Sequence, residues 1–150
     1  MPSLSFSSPL GPLTLIETDH AITHLHWDNR AGRDETPLLL EARRQLDAYF
    51  ARELKEFDLS LNPAGTNFQK SVWDAMDRIP YGQTRTYGEI SKEIGGMPRA
   101  VGVACGENPI AIIPPCHRVM AAGGKTGGYS GGNGVPHKLQ LLVLEGSLLA

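Results

Sequence analysis

Cys116 and His117 are adjacent in the segment Pro114-Pro115-Cys116-His117-Arg118-Val119. A thiolate is a strong nucleophile, and a nearby imidazole can lower a thiol's pKa or relay its proton. Adjacent residues of an extended strand point to opposite faces, so the dipeptide alone more often means a buried cysteine beside a surface histidine. The two prolines indicate that the backbone turns here, and a bend or a water could then connect thiol and imidazole.

Composition narrows the class of protein. The chain has 150 residues, of which 41% are hydrophobic and 20% charged, enough apolar material for one ordinary domain or two small ones. No apolar run is long enough to span a bilayer, and residues 1–15 do not resemble a signal peptide. We therefore expect no membrane partner and a cytoplasmic protein, or a nuclear one in a eukaryote. Cys105 and Cys116 are too few for a disulfide framework.

Charge differs between the two parts of the chain. Residues 1–62 hold six Lys/Arg against ten Asp/Glu, whereas residues 63–150 hold eight against six. If the protein binds nucleic acid, we expect residues 63–150 to form the binding surface. The turn-rich stretch 62–65 separates the two, so we predict a supporting domain over 1–62 and a second domain over 63–150.

The first part reads as short strands and one helix. Strands are predicted at Leu13–Ile16, at Ala21–Trp27 and at Leu59–Leu61. Thr36 is the predicted N-cap of an amphipathic helix that has Pro37 at its first position.

The second part reads as mostly helical. Capping boxes begin helices at Thr66 and Thr86, and Pro98 begins a third that runs to about Gly106. A strand at 111–113 and a last helix at 136–145 complete it. The predicted fold class is α+β: a small strand-and-helix domain, then a mostly helical, winged-helix-like domain that binds DNA and carries the active site.

The segment Ile112–Val119 resembles the active-site signature of the O6-alkylguanine-DNA alkyltransferases, whose core is Pro-Cys-His-Arg. Further segments resemble that family in order and spacing, and together they cover about residues 64–146. They are Phe68–Trp73 with Ile79–Gly82, Thr86–Glu89, Arg99–Gly102 with Asn108-Pro109, Tyr129–Gly132 and Leu144–Gly146. The resemblance implies DNA repair by transfer of an alkyl group from guanine O6 to a protein cysteine.

The resemblance implies a role for each catalytic residue. Cys116 would accept the alkyl group, and His117 would link it through a water to Glu145, which orients the imidazole. Tyr87 would donate a hydrogen bond to the departing guanine oxygen, and the backbone N–H of Ser130 would lie near the same oxygen. The product is a thioether, so each molecule should act once, and the transfer needs neither a metal nor a cofactor.

The resemblance also implies DNA contacts. Arg99 would take the place of a flipped nucleotide, since the lesion lies inside the duplex. Ala100 and Gly102 are small, which suits close approach to the minor groove. Asn108 would tie the recognition helix to the active-site strand. Arg118, Tyr129 and Lys138 are the remaining predicted substrate or DNA residues. The expected partner is double-stranded DNA containing O6-alkylguanine, bound by a monomer.

Other interpretations stay open from the residues alone. The chain could be a lesion-sensing, alkyltransferase-like DNA binder without activity, although such proteins lack the cysteine that is present here. It could also be a redox-sensing regulator, for which Cys105 is the one available second thiol. His20, His24 and His26 could suggest a metal site, but no cysteine lies near them in the sequence and no metal is predicted.

Overall fold

The computed structural model describes residues 1–122 and 134–148, and divides the chain into two compact units. The first comprises Met1–Ala64 together with Pro109–Ile113. The second comprises Gly65–Asn108 and Pro114–Ala150. The sequence did not predict the return of Pro109–Ile113 to the first unit. The α+β class predicted from the sequence is confirmed.

The first unit is a three-stranded sheet that packs against one helix. Strands β1 (Ser3–Ser8), β2 (Gly11–Thr18) and β3 (Ala21–His26) are antiparallel and lie in that order. Helix α1 (Pro37–Phe50) contacts all three strands. Its N-cap is Thr36, as predicted, and the Thr36 hydroxyl accepts the backbone N–H of Leu39 at 3.1 Å. The core side chains include Leu13, Leu15, Ile22, Leu39 and Leu46.

The second unit contains four helices among its described residues: α2 (Asn67–Asp77), α3 (Tyr87–Ile94), α4 (Pro98–Gly106) and α5 (Val135–Leu144). Both predicted capping boxes are present, at Thr66 and at Thr86. Helix α4 spans the residues predicted for it, because Pro98 suits the first position of a helix. Val72, Trp73, Met76, Ile90 and Val101 form part of the core between these helices.

A short parallel pairing positions the residues of interest. Strand β4 (Arg85–Thr86) pairs with β5 (Val119–Met120), with Arg85 opposite Val119. Tyr87 follows β4 directly, and the segment 116–118 precedes β5 directly. Two residues of pairing therefore hold the start of α3 beside the segment that carries the cysteine.

Two predicted strands are wrong. The stretch 111–113 forms no strand: Ile112 has a φ of 67°, and the N–H of Ile113 donates to the carbonyl of Ala111 at 2.7 Å, so the backbone turns. The stretch Leu59–Leu61 contributes one isolated bridge, between Leu61 and Ile22. In both places β-branched or apolar composition favoured a strand, but such composition reflects packing against neighbouring strands and does not by itself produce pairing.

No helix within residues 1–122 and 134–148 has the length and apolar character needed to cross a bilayer.

Candidate active site

Cys116, His117 and Arg118 form one turn of 3-10 helix. The turn is closed by hydrogen bonds from the N–H of Cys116 to the Pro114 carbonyl at 2.9 Å and from the N–H of Arg118 to the Pro115 carbonyl at 3.0 Å. The predicted bend at the two prolines is therefore confirmed. The alternative of a buried cysteine beside a surface histidine is wrong, because Cys116 is half-buried and His117 is 0% exposed.

His117 is fixed by a carboxylate at the end of α5. Its Nε2 lies 2.7 Å from Oε2 of Glu145, and both side chains are buried. An ionised carboxylate only accepts hydrogen bonds, so Nε2 carries the proton and donates. In a neutral imidazole the other nitrogen, Nδ1, is then the acceptor. Nδ1 is buried and has no hydrogen-bond partner among the described residues. The pair thus holds the imidazole in the tautomer that can accept a proton at Nδ1.

Arg118 completes the buried group. Its Nε donates to Oε1 of Glu145 at 2.8 Å and its Nη2 donates to Oε2 at 3.0 Å, a bidentate pair. Its Nη1 donates to the carbonyl of Ile79 at 2.6 Å, and the guanidinium lies over the Tyr81 ring at 5.7 Å. The placement of Arg118 among the DNA-binding residues is therefore corrected. The side chain is buried and satisfied within the protein, because its charge balances Glu145.

Glu145 occupies the C-cap of α5, where the helix dipole disfavours a negative charge. The sequence did not indicate which residue supplies its counter-charge. The structure supplies it through Arg118, which lies 27 residues away in the chain. The one local signal for a buried cation was the position of Glu145, a carboxylate at a helix C-terminus directly after an apolar run.

Burial lowers the pKa of His117, and this effect outweighs the opposing hydrogen bond from Glu145. Arg118 already balances the carboxylate, so a proton on His117 would add net positive charge to a buried group. His117 is accordingly neutral near neutral pH and available as a base.

Tyr87 and Cys105 share the surroundings of Cys116. Cys105 belongs to the buried core of the second unit, and Tyr87 and Cys116 pack against that core. The prediction that Cys105 is a packing residue is confirmed. Burial raises the pKa of Tyr87 to about 12 and that of Cys105 to about 12. Both groups keep their protons near neutral pH, and Tyr87 remains a hydrogen-bond donor.

Lys138 lies in the second turn of α5 and is 0% exposed. Its Nζ donates to the carbonyl of Val119 at 2.6 Å and lies 5.8 Å from the centroid of the Tyr87 ring. The structure therefore brings Lys138 close to Tyr87 and to the backbone that directly follows residues 116–118.

Helix α4 presents small or apolar side chains outward. Arg99 and Ala100 are exposed in its first turn, and Val103 is 56% exposed. Gly102 lies on the side of Tyr87: a Cβ at this position would be 3.8 Å from the Tyr87 ring. Asn108 follows the helix, half-buried, and its N–H donates to the Cys105 carbonyl at 3.5 Å.

Two predicted site residues, Tyr129 and Ser130, lie outside the described residues. His24 and His26 stack with their ring centroids 5.3 Å apart. Within the described ranges, no group of three or more histidine, cysteine or carboxylate side chains is arranged to hold a metal ion.

Comparison with known proteins assigns both parts of the chain to one family. Residues 67–147 match the DNA-binding domain of 6-O-methylguanine DNA methyltransferase, and residues 4–63 match the ribonuclease-like domain of the same family. A methylated-DNA–protein-cysteine methyltransferase of Methanosarcina acetivorans is 50% identical over 152 residues, covering 95% of this chain and 96% of its own. One of Mycolicibacterium paratuberculosis is 50% identical over 147 residues, covering 92% and 88%.

A solved structure is also similar. The OGT of Mycobacterium tuberculosis in complex with DNA superposes with a TM-score of 0.87 at 47% identity, covering 98% of this chain and 94% of its own. A family model matches more than half of the chain, and two relatives are 50% identical over nearly its full length. These relatives are methylated-DNA–protein-cysteine methyltransferases. The chain therefore belongs to the 6-O-methylguanine DNA methyltransferase family.

Proposed function

We propose that this protein repairs O6-alkylguanine in double-stranded DNA by moving the alkyl group to Cys116, once per molecule. The observation that carries the proposal is the site itself. A half-buried thiol adjoins a histidine whose Nε2 is bound 2.7 Å from a buried carboxylate, which leaves Nδ1 to accept a proton.

The proposed reaction balances with the groups present. The Cys116 thiol gives its proton to Nδ1 of His117 through a water, and the resulting thiolate attacks the alkyl carbon. A sulfur–carbon bond forms, the bond from carbon to O6 breaks, and its electron pair stays on the guanine oxygen. The hydroxyl of Tyr87 donates a hydrogen bond to that oxygen. The high pKa of Tyr87 means that this donor is protonated whenever the thiolate forms.

Single turnover follows from the product. A thioether carbon–sulfur bond is not reversed by thiol–disulfide exchange, which regenerates cysteine only from disulfides. One protein molecule is therefore consumed for each lesion. The proposal needs only one site per lesion, so a monomer suffices.

Helix α4 is the proposed DNA-contacting element. Its exposed face is apolar and small at Ala100, which suits close approach to a minor groove, and Arg99 is the exposed cation of its first turn. The target atom of a base within a duplex is out of reach of a pocket, so the nucleotide must turn out of the stack. The Arg99 side chain would fill the space that the base leaves, which offsets part of the unstacking cost of about a few kcal/mol.

The first experiment tests the acceptor. Wild-type protein mixed with O6-methylguanine DNA should gain one methyl mass, and peptide mapping should find it on Cys116. Cys116→Ala should gain no mass and still bind the DNA. A methyl group on Cys105, or binding without any mass gain in the wild type, would contradict the proposal. The second outcome would favour a lesion-sensing protein instead.

The second experiment tests base flipping. Arg99→Ala should slow transfer from duplex DNA by about tenfold or more, because the extruded base is no longer replaced. Transfer from the free O6-alkylguanine base should stay within about twofold, since that substrate needs no extrusion. The informative quantity is the ratio of the two rates in variant and wild type. Equal losses on both substrates would show that Arg99 supports the pocket and not the flip.

A further inference from the structure

We propose that the buried ammonium of Lys138 supplies the positive charge that favours the thiolate of Cys116. The inference rests on the proposed function, in which that thiolate is the nucleophile. It assigns to Lys138 an electrostatic task that neither His117 nor Arg118 performs.

The placement of Lys138 is the first argument. A lysine with 0% exposure is rare, because burial of its ammonium is costly and long stems ordinarily carry the charge to water. Here Nζ is held inside by its 2.6 Å hydrogen bond to the Val119 carbonyl. Val119 directly follows the turn of residues 116–118, so the ammonium is fixed against the backbone that carries the acceptor.

The charge balance is the second argument. Glu145 carries one negative charge, and Arg118 balances it through two hydrogen bonds. His117 is neutral because burial lowers its pKa. Before the proton reaches His117, the group of three therefore orients the imidazole but offers no net positive charge to Cys116. The Lys138 ammonium, held on the Val119 carbonyl, is the cation that can offer it.

The third argument concerns which neighbour of Lys138 can take up negative charge. Burial lowers the pKa of the Lys138 ammonium, whereas negative charge on Cys116 or Cys105 would raise it, and Tyr87 lies beside it. Burial raises the pKa of Cys105 and of Tyr87 to about 12, so both stay neutral near neutral pH. Of these groups, Cys116 is therefore the one whose ionised form the lysine charge can stabilise near neutral pH. An opposite charge at about 4–6 Å favours an ionised form by roughly one to three pH units.

The test measures the thiol directly, without DNA. The rate of carbamidomethylation of Cys116 by iodoacetamide, followed by peptide mapping, is recorded across pH for wild type, Lys138→Gln and Lys138→Met. We expect both variants to react about tenfold more slowly at neutral pH and to have profiles moved up by about one unit. At high pH, where the thiolate is formed in any case, the rates should converge. Damage to the site would instead lower the rate at every pH.

Matched variants complete the design. Lys92→Met removes an equal charge from an exposed position in the last turn of α3, and its profile should overlay that of the wild type. Lys138→Arg keeps the charge and should keep the wild-type profile. Lys138→Gln retains a donor for the Val119 carbonyl, whereas Lys138→Met does not. Thermal unfolding would show whether the Met variant is destabilised, and the Gln variant would then still provide the test. Superimposed profiles for wild type and both neutral variants would overturn the inference.

The inference and the function fail separately. If wild-type protein gains no methyl mass from O6-methylguanine DNA, the proposed function is wrong, yet the iodoacetamide profiles still report on Lys138. If the mass gain occurs and the profiles superimpose, the function stands and the role of Lys138 falls.

Discussion

Each unit of this protein buries one glutamate at a helix end, and the two ends are opposite. Glu17 in the first unit accepts a 2.5 Å hydrogen bond from the hydroxyl of Thr36, the N-cap of α1. Glu145 in the second unit occupies the C-cap of α5. The helix dipole stabilises a negative charge at an N-terminus and destabilises one at a C-terminus.

The number of partners follows that difference. One hydroxyl from a side chain 19 residues away donates to Glu17, and the exposed imidazole of His20 lies 3.9 Å from the carboxylate. Glu145 accepts hydrogen bonds from His117 and, twice, from Arg118. A buried carboxylate at an unfavourable helix end thus requires an arginine, and the same arrangement gives the site its oriented base.

The largest expected effect is on transfer. Glu145→Gln removes the charge that orients His117 and should slow alkyl transfer on the order of 100-fold. Glu17→Gln is the matched change in the other unit and should leave the transfer rate unchanged. Single-turnover kinetics on O6-methylguanine DNA would measure both. Equal losses in the two variants would mean that the effect is one of folding and not of the site.

A second effect is on stability. Arg118→Met leaves Glu145 buried without its counter-charge, and breaking such a pair costs about 3–5 kcal/mol. Adding Glu145→Gln to this variant should restore part of that loss, since no uncompensated carboxylate remains, but it should not restore transfer. Denaturant unfolding of the single and double variants measures the coupling. Additive losses would contradict a direct interaction between the two side chains.

The smallest expected effect is the dependence of stability on pH. Burial lowers the pKa of His117 in the folded state, so below the ordinary value of about 6.5 the unfolded chain binds a proton that the folded chain does not. Stability should be complete above that pH and fall with acid, by at most about 1.4 kcal/mol per pH unit from this one group.

Unfolding curves for wild type and His117→Asn would isolate the contribution of His117 to this pH dependence. His26, whose pKa burial also lowers, is present in both proteins. The acid loss should be shallower in the variant. Identical slopes in the two proteins would show that His117 does not remain neutral on folding.

Local signals explain which elements were predictable. The N-caps at Thr36, Thr66 and Thr86 depend on residues three positions apart, and all three were confirmed. The resemblance pointed to residues 112–119 for the same reason, because that motif is contiguous. The burial of Arg118 was not predictable, since its partners Glu145 and the Ile79 carbonyl lie 27 and 39 residues away. Arg118 was predicted to contact substrate or DNA because it lies within the Pro-Cys-His-Arg motif.

The segment Pro109–Ile113 was missed for a related reason. Ile110, Ile112 and Ile113 are apolar and β-branched, which favours a strand. A side chain of Ile with φ of 67° is unfavourable by about 1–2 kcal/mol, and only its burial among residues distant in sequence offsets this. No window around residue 112 contains that information.

The course of this segment bears on how the protein can be cut. The chain leaves the second unit after Asn108, bonds the N–H of Leu25 through the Pro109 carbonyl at 3.1 Å, bridges Leu25 at Ile110, and returns at Pro114. A gene fragment that begins at residue 63 would therefore express Cys116 together with a stretch of the other unit's interior. Ile110, Ala111, Ile112 and Ile113, all buried in the intact chain, would face water in that fragment. The first unit therefore cannot be removed, or exchanged between relatives, at a single junction. A graft would also have to carry the segment Pro109–Ile113.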